Sequence, residues 1–261
     1  VIAMQEKGFY FEPHWSPDSK HLAFTDNKLQ LWTVELATGK QTKIDTDTYY
    51  EPLGGQRMDP SWSPDSRWIA YTKKLNNHLR AALIYSMETG KSQQITEGMS
   101  DVESAIFDKN GKYLYFTAST DVALSGHFLD MTSQLQQPTR SVYAVVLRKD
   151  LPSPVPLESD EEKAEQLQKQ EPHSKALTPE DDKTPAATPA TTGKTTESEK
   201  PADTAKDGET RIDFDGIEHR IVSLPVTARN YDSLVPGKTG ILYLIEAVPT
   251  PTGEPKATIH K

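Results

Sequence analysis

The sequence contains no cysteine, which excludes a disulfide framework and a thiolate metal site. No apolar run approaches the ~20 residues that a membrane-spanning helix requires. One long stretch, residues 158–210, has no Ile, Val, Phe, Tyr or Trp at all. A segment of that composition cannot bury enough apolar surface to offset chain entropy, so it is predicted to be disordered. Residues 161–170 within it have helical propensity but no apolar stripe to dock. The stretch holds 14 acidic residues against 7 lysines, a net −7 of the formal −9 carried by the whole chain. The remainder is therefore close to neutral. It lacks a basic patch with interleaved aromatics, which argues against nucleic acid as a partner. The mean hydropathy of −0.65 reflects that one stretch and not a uniformly polar chain.

Catalytic signatures are also missing. There is no HExxH, and the seven histidines are scattered. There is no Gly-x-Ser-x-Gly, and Ser125-Gly126-His127 is not a nucleophile elbow. Gly54-Gly55 lacks the Lys and Ser/Thr that a phosphate-cradling loop needs. A serine triad is recognised by geometry and not by spacing, and it has no local support here. No catalytic, cofactor-binding or metal-ligating residue is assigned, and no cofactor is expected. The chain opens Val1-Ile2-Ala3-Met4 without a signal-peptide pattern. It reads as an excised or incomplete piece of a longer polypeptide.

What the sequence does contain is a repeat. Trp15-Ser16-Pro17-Asp18-Ser19 is followed by His21-Leu22-Ala23-Phe24-Thr25. Trp62-Ser63-Pro64-Asp65-Ser66 is followed by Trp68-Ile69-Ala70-Tyr71-Thr72. Phe107-Asp108-Lys109-Asn110-Gly111 is followed by Tyr113-Leu114-Tyr115-Phe116-Thr117. The spacings are 47 and 45 residues, counted from Trp15 to Trp62 and from Trp62 to Phe107. In each unit an aromatic ends one strand, a tight turn follows, and an alternating strand begins. Proline presets φ at the second turn position, while Asp and Ser bond locally to the backbone. Ala37-Thr38-Gly39-Lys40 and Glu88-Thr89-Gly90-Lys91 mark a second turn in the first two units. A period of about 40–50 residues with several short strands per unit is the signature of β-propeller blades.

The fold class is thus all-β, built of four-stranded antiparallel propeller blades in an incomplete ring, with a long disordered insertion. Residues 9–57, 58–101 and 102–157 are the first three blades. Residues 158–210 are the acidic Pro/Thr/Lys/Glu-rich insertion, looped out between blades. Residues 211–261 are a further, incomplete blade in which 219–224 and 240–247 read as strands. A second insertion, residues 118–140, contains Phe128, Leu129 and Met131, and part of it is expected to pack. Three or four blades do not close a ring, so neighbouring sequence is expected to complete it.

Three sets of residues invite functional readings. Trp15, Trp62 and Phe107 recur once per blade and could stack against a ligand, but burial between blades is the expected role. Asp18 and Asp65 could ligate calcium, but each sits between Pro and Ser, where turn formation accounts for it. Asp213, Asp215, Glu218 and His219 form the densest cluster of ligand-type side chains. Their spacing does not fit a calcium loop, and a turn flanked by solvated charges is expected.

The repeated Trp-Ser-Pro-Asp-Ser turn with its following strand resembles the propeller repeats of TolB and of tricorn-type proteases. The text at residues 11–15, 58–72, 107–120, 140–157 and 212–217 resembles the propeller region of bacterial tricorn protease homologues, which are S41 serine peptidases. The resemblance implies a non-catalytic propeller that channels peptides or unfolded polypeptides to a PDZ-containing serine protease core absent from this chain. It also implies a homo-oligomeric full-length protein, associated with the cytoplasm, although relatives can be exported to the periplasm. The alternatives are a TolB-like protein-binding propeller and the propeller of a prolyl-oligopeptidase-like enzyme. The residues at 140–157 and 212–217 favour the tricorn-like reading.

Overall fold

A computed structural model describes residues 2–4, 7–50, 58–122, 138–155, 209–248 and 256–261. The chain divides into two units, 1–155 with 206–261, and 156–205; only the first falls within the described residues. Its described residues form fifteen strands in four antiparallel sheets.

The first sheet holds β1 (Tyr10–Trp15), β2 (His21–Asp26), β3 (Gln30–Glu35) and β4 (Gln41–Thr46), paired in sequence order. The second repeats this with β5 (Ser61–Trp62), β6 (Trp68–Lys74), β7 (Arg80–Ser86) and β8 (Ser92–Gln94). The third contains β9 (Asp101–Phe107), β10 (Tyr113–Ser119), β11 (Ser141–Val146) and β12 (Ile221–Ser223). The fourth contains β13 (Tyr231–Pro236), β14 (Leu242–Val248) and β15 (Lys256–His260).

The repeated turn works as its residues dictate. Ser16 Oγ donates to Asp18 Oδ1 at 2.6 Å and accepts from the His21 amide at 2.9 Å. Ser63 Oγ bonds Asp65 Oδ1 at 2.6 Å and the Trp68 amide at 2.9 Å in the same way. In the third repeat Asp108 takes the serine's place, its Oδ1 accepting from the Lys112 amide at 3.1 Å. The last turn residue is left-handed each time, with φ of 59° at Ser19, 63° at Ser66 and 68° at Gly111.

Each pair of neighbouring sheets shares an apolar core. Leu31, Met58, Trp62, Ile69 and Tyr71 fill the first seam. Ile84, Val102, Phe107, Leu114 and Ile217 belong to the second. Val142, Tyr231, Leu234 and Leu244 form the third. A fully buried side chain of this size stabilises by about 1.5–3 kcal/mol, so the seams hold the blades together. Among the described residues, no such core joins the fourth sheet to the first, and the ring is open.

The structure departs from the sequence reading in several places. The stretch at 219–224 does not begin the fourth blade: Ile221–Ser223 is the outer strand of the third, with Val145 opposite Ile221 and Tyr143 opposite Ser223. The acidic insertion therefore lies inside the third blade, between its third and fourth strands, and not between blades. A three-residue outer strand needs only a partner edge, and β11 offers one whatever the length of the connection. The strand β13 was not legible, because only Tyr231 and Leu234 of its six residues are buried. Trp15 is not core: it is 61% exposed, whereas Trp62 is 9% and Phe107 2% exposed. Trp62 and Phe107 each meet the preceding sheet, and among the described residues none precedes the first. Most of the segment predicted to be disordered, and Phe128, Leu129 and Met131, lie outside the described residues.

Candidate functional site

The first strands of all four sheets, β1, β5, β9 and β13, converge on one cavity of about 560 Å³. Its wall is aromatic, proline-rich and acidic. Trp15, Trp62 and Phe107 stand at the turn ends of their strands, Ser104 and Asp232 lie along β9 and β13, and Asp59 just precedes β5. His14 and Lys109 are the basic groups of the wall.

The inner strands are not regular. Glu12, Asp59 and Ser104 have φ of 50°, 41° and 54°, left-handed values in residues other than glycine. They are spaced by 47 and 45 residues, the same intervals as the turns. In β1 and β9 the residue sits in a break of register against the second strand. β13 has its own break, between Tyr231 and Ser233. Such conformations cost of order 1–3 kcal/mol each and persist where the surrounding structure determines them. A bulge re-aims the side chains of its strand. Here it recurs at the wall of the cavity, where Glu12 and Asp59 each precede a proline and Ser104 does not.

Two wall residues have shifted ionisation. His14 is solvent-accessible, but it sits among protein atoms from several strands. Desolvation holds its pKa below the ordinary imidazole value, against the opposing pull of Glu12. Burial pushes the Asp108 carboxyl above the usual carboxylate range, although several backbone amides bond to it. Its Oδ2 has no hydrogen-bond partner among the described residues.

The other candidates resolve into structural roles. Asp18 and Asp65 hold their turns through Ser16 and Ser63. Asp213 and Asp215 are tied to Lys149: its amide donates to Asp213 Oδ2 at 3.0 Å and its Nζ to Asp215 Oδ2 at 2.5 Å. Arg220 donates to the carbonyl oxygens of Asp213, Asp215 and Gly216, wrapping the same loop. Glu218 and His219 pair at 3.5 Å, with the His219 side chain 83% exposed. Among the described residues, no group of three or more His, Asp or Glu is placed to hold a metal ion.

One cluster was invisible in the sequence because its members are far apart along the chain. At the opposite end of β9 from its turn, Arg140 binds Asp101 Oδ2 at 3.1 Å and Glu103 Oε1 at 2.9 Å. Arg80 also pairs with Glu103, and its amide donates to Asp101 Oδ1 at 3.0 Å. Arg140 and Asp101 are buried, with side chains 6% and 4% exposed. The network ties the second sheet to the third.

The profile of a family described as the tricorn protease second beta propeller domain matches residues 2–260. No curated protein sequence matches. The chain is similar in fold to the crystal structure of the tricorn protease, with 18% identity and a TM-score of 0.60. That alignment covers 98% of this chain and 22% of the tricorn chain. A crystal structure of TolB from Acinetobacter baumannii aligns over 55% of this chain and 31% of its own, at 21% identity and a TM-score of 0.37. A prolyl endopeptidase structure aligns over 52% of this chain and 20% of its own, at 16% identity and a TM-score of 0.35.

Proposed function

The chain belongs to the family of tricorn protease second β-propeller domains, and from that premise we propose that its inner strands are part of a channel wall that passes peptides to a serine peptidase core carried elsewhere in a longer polypeptide. The observation that carries this reading is the convergence of β1, β5, β9 and β13 on one cavity. A bore framed by strand edges admits an extended chain and excludes a folded domain. Proline and aromatic side chains give it rigid apolar contact. Asp59, Ser104 and Asp232 supply polar groups for a passing backbone. The partners on this reading are peptides or unfolded polypeptides, and this chain contributes passage and not bond cleavage.

The test uses the full polypeptide that carries this chain. Asp232→Trp narrows the bore from an exposed position of its wall. The expected result is a fall of about tenfold or more in kcat/KM for long peptides, with short peptides hydrolysed as before. Equal rates for all lengths would remove the channel reading. A retained affinity of the chain for a folded protein partner would then favour a binding module.

A further inference from the structure

The seam between the second and third blades lacks a side chain that the preceding seam uses. In the first seam the turns of adjacent blades bond directly, the Asp18 amide donating to Ser66 Oγ at 3.0 Å. Ser66 is the last residue of its turn, and the residue at that place in the third blade is Gly111, which has no hydroxyl to offer. The space beside Gly111 is filled from elsewhere. A Cβ built on Gly111 would collide with Thr210 Oγ1 and lie 3.2 Å from Thr210 Cβ.

Thr210 comes from the far end of the acidic connection, yet it is 2% exposed. Its amide donates to Asp65 Oδ2 at 2.9 Å, and its carbonyl accepts from Trp68 Nε1 at 3.0 Å. Both partners belong to the second blade. Phe214 then packs on Trp68, with ring centroids 5.7 Å apart. The Asp213 amide donates to the Leu147 carbonyl at 2.9 Å, on the third blade, and Ile212 and Ile217 enter the shared core. Arg67 pairs with Glu209 through one nitrogen and with Glu88 through the other, the latter at 2.8 Å.

The geometry points to a strap: residues 209–217 clasp the second blade to the third, with Thr210 filling the space beside Gly111 while its own Oγ1 has no hydrogen-bond partner among the described residues. The closing of this seam depends on a segment that is not part of either blade's own strands. Release of the strap opens the seam while each sheet keeps its ladder.

The test is an exchange. Ser19 and Ser66 hold φ of 59° and 63°, so a serine at position 111, where φ is 68°, takes on a left-handed strain that glycine lacks but that its two counterparts already bear. Gly111→Ser alone collides with Thr210 and is expected to lower Tm by roughly 3 °C or more, as is Thr210→Gly alone. The double variant, with the hydroxyl restored in the turn and the intruding side chain removed, recovers the part of the loss that comes from the collision and keeps only the backbone strain. Additive losses in the double variant would overturn the strap. A measurement on the unaltered chain is independent of any variant. The Thr210 amide is expected to exchange hydrogen as slowly as the β6 and β10 ladders. Exchange at the rate of unstructured chain would refute the proposal.

Discussion

The first two seams of this molecule solve one packing problem in different ways. Between the first and second blades, contact is direct: turn bonds turn through Ser66, and Trp62 Nε1 reaches across to the His14 carbonyl at 3.0 Å. Between the second and third, contact is mediated: Thr210 fills the place beside Gly111, and Arg140 gathers Asp101 and Glu103 at the other end of β9. The comparison teaches that a repeat can lose a contact residue when a segment outside the repeat supplies the atoms. The seam without the serine is also the one with the buried ion pair between Arg140 and Asp101.

Breaking the mediated seam is expected to have the largest effect. Arg140→Ala leaves the Asp101 carboxylate buried without its main partner and should cost about 3–5 kcal/mol, read by urea unfolding. A loss below about 1 kcal/mol would show that the network is not holding the two blades. In the direct seam, Trp62→Phe keeps most of the ring burial but removes the bond to the His14 carbonyl, for an expected loss of about 1–2 kcal/mol. Hydrogen exchange should then quicken at β1 and β5 and stay unchanged at β9. Ser66→Ala removes only the acceptor of the Asp18 amide, at about 1 kcal/mol or less. Because Gly111 already lacks that acceptor, the change makes the first seam resemble the second without its strap. An effect equal to that of Trp62→Phe would contradict the ranking.

The smallest expected effect is on pH dependence. His14 has a lowered pKa in the folded chain, so between its ordinary value near 6.5 and lower pH the unfolded state binds the proton more readily. Stability is then full above about pH 7 and declines as pH falls through 6. His14→Gln should flatten that slope between pH 7 and 5 and leave the first-seam bond, which uses the backbone carbonyl, in place. An unchanged slope would mean that the cavity wall does not resist a positive charge at that position.

Much of the fold was readable because the turns are local. Ser-Pro-Asp-Ser contains both partners of its own hydrogen bonds, and the following strands alternate cleanly. What escaped reading depends on atoms distant in sequence. The outer strand of the third blade lies 76 residues beyond the residue it faces, at Val145 and Ile221. The exposure of Trp15 depends on what stands beside its sheet, not on its own motif. Of the left-handed residues, Glu12 and Asp59 are carboxylates before proline but Ser104 precedes alanine, so the cavity wall they shape leaves only a broken trace in the sequence. Asp101, Glu103 and Arg140 look like ordinary surface charges until β9 and β11 bring them together.

The late arrival of Ile221–Ser223 has a consequence for how the chain is made. β11 emerges with an apolar edge, Ser141-Val142-Tyr143-Ala144-Val145-Val146, whose partner has yet to be synthesised. At about 5–20 residues per second, the ribosome needs roughly 4–15 s to reach it. For that interval the nascent third blade is a three-stranded sheet with an unpaired hydrophobic border, the kind of surface on which neighbouring nascent chains pair wrongly. A translation pause within the acidic stretch would prolong this exposure, and a shorter connection would reduce it.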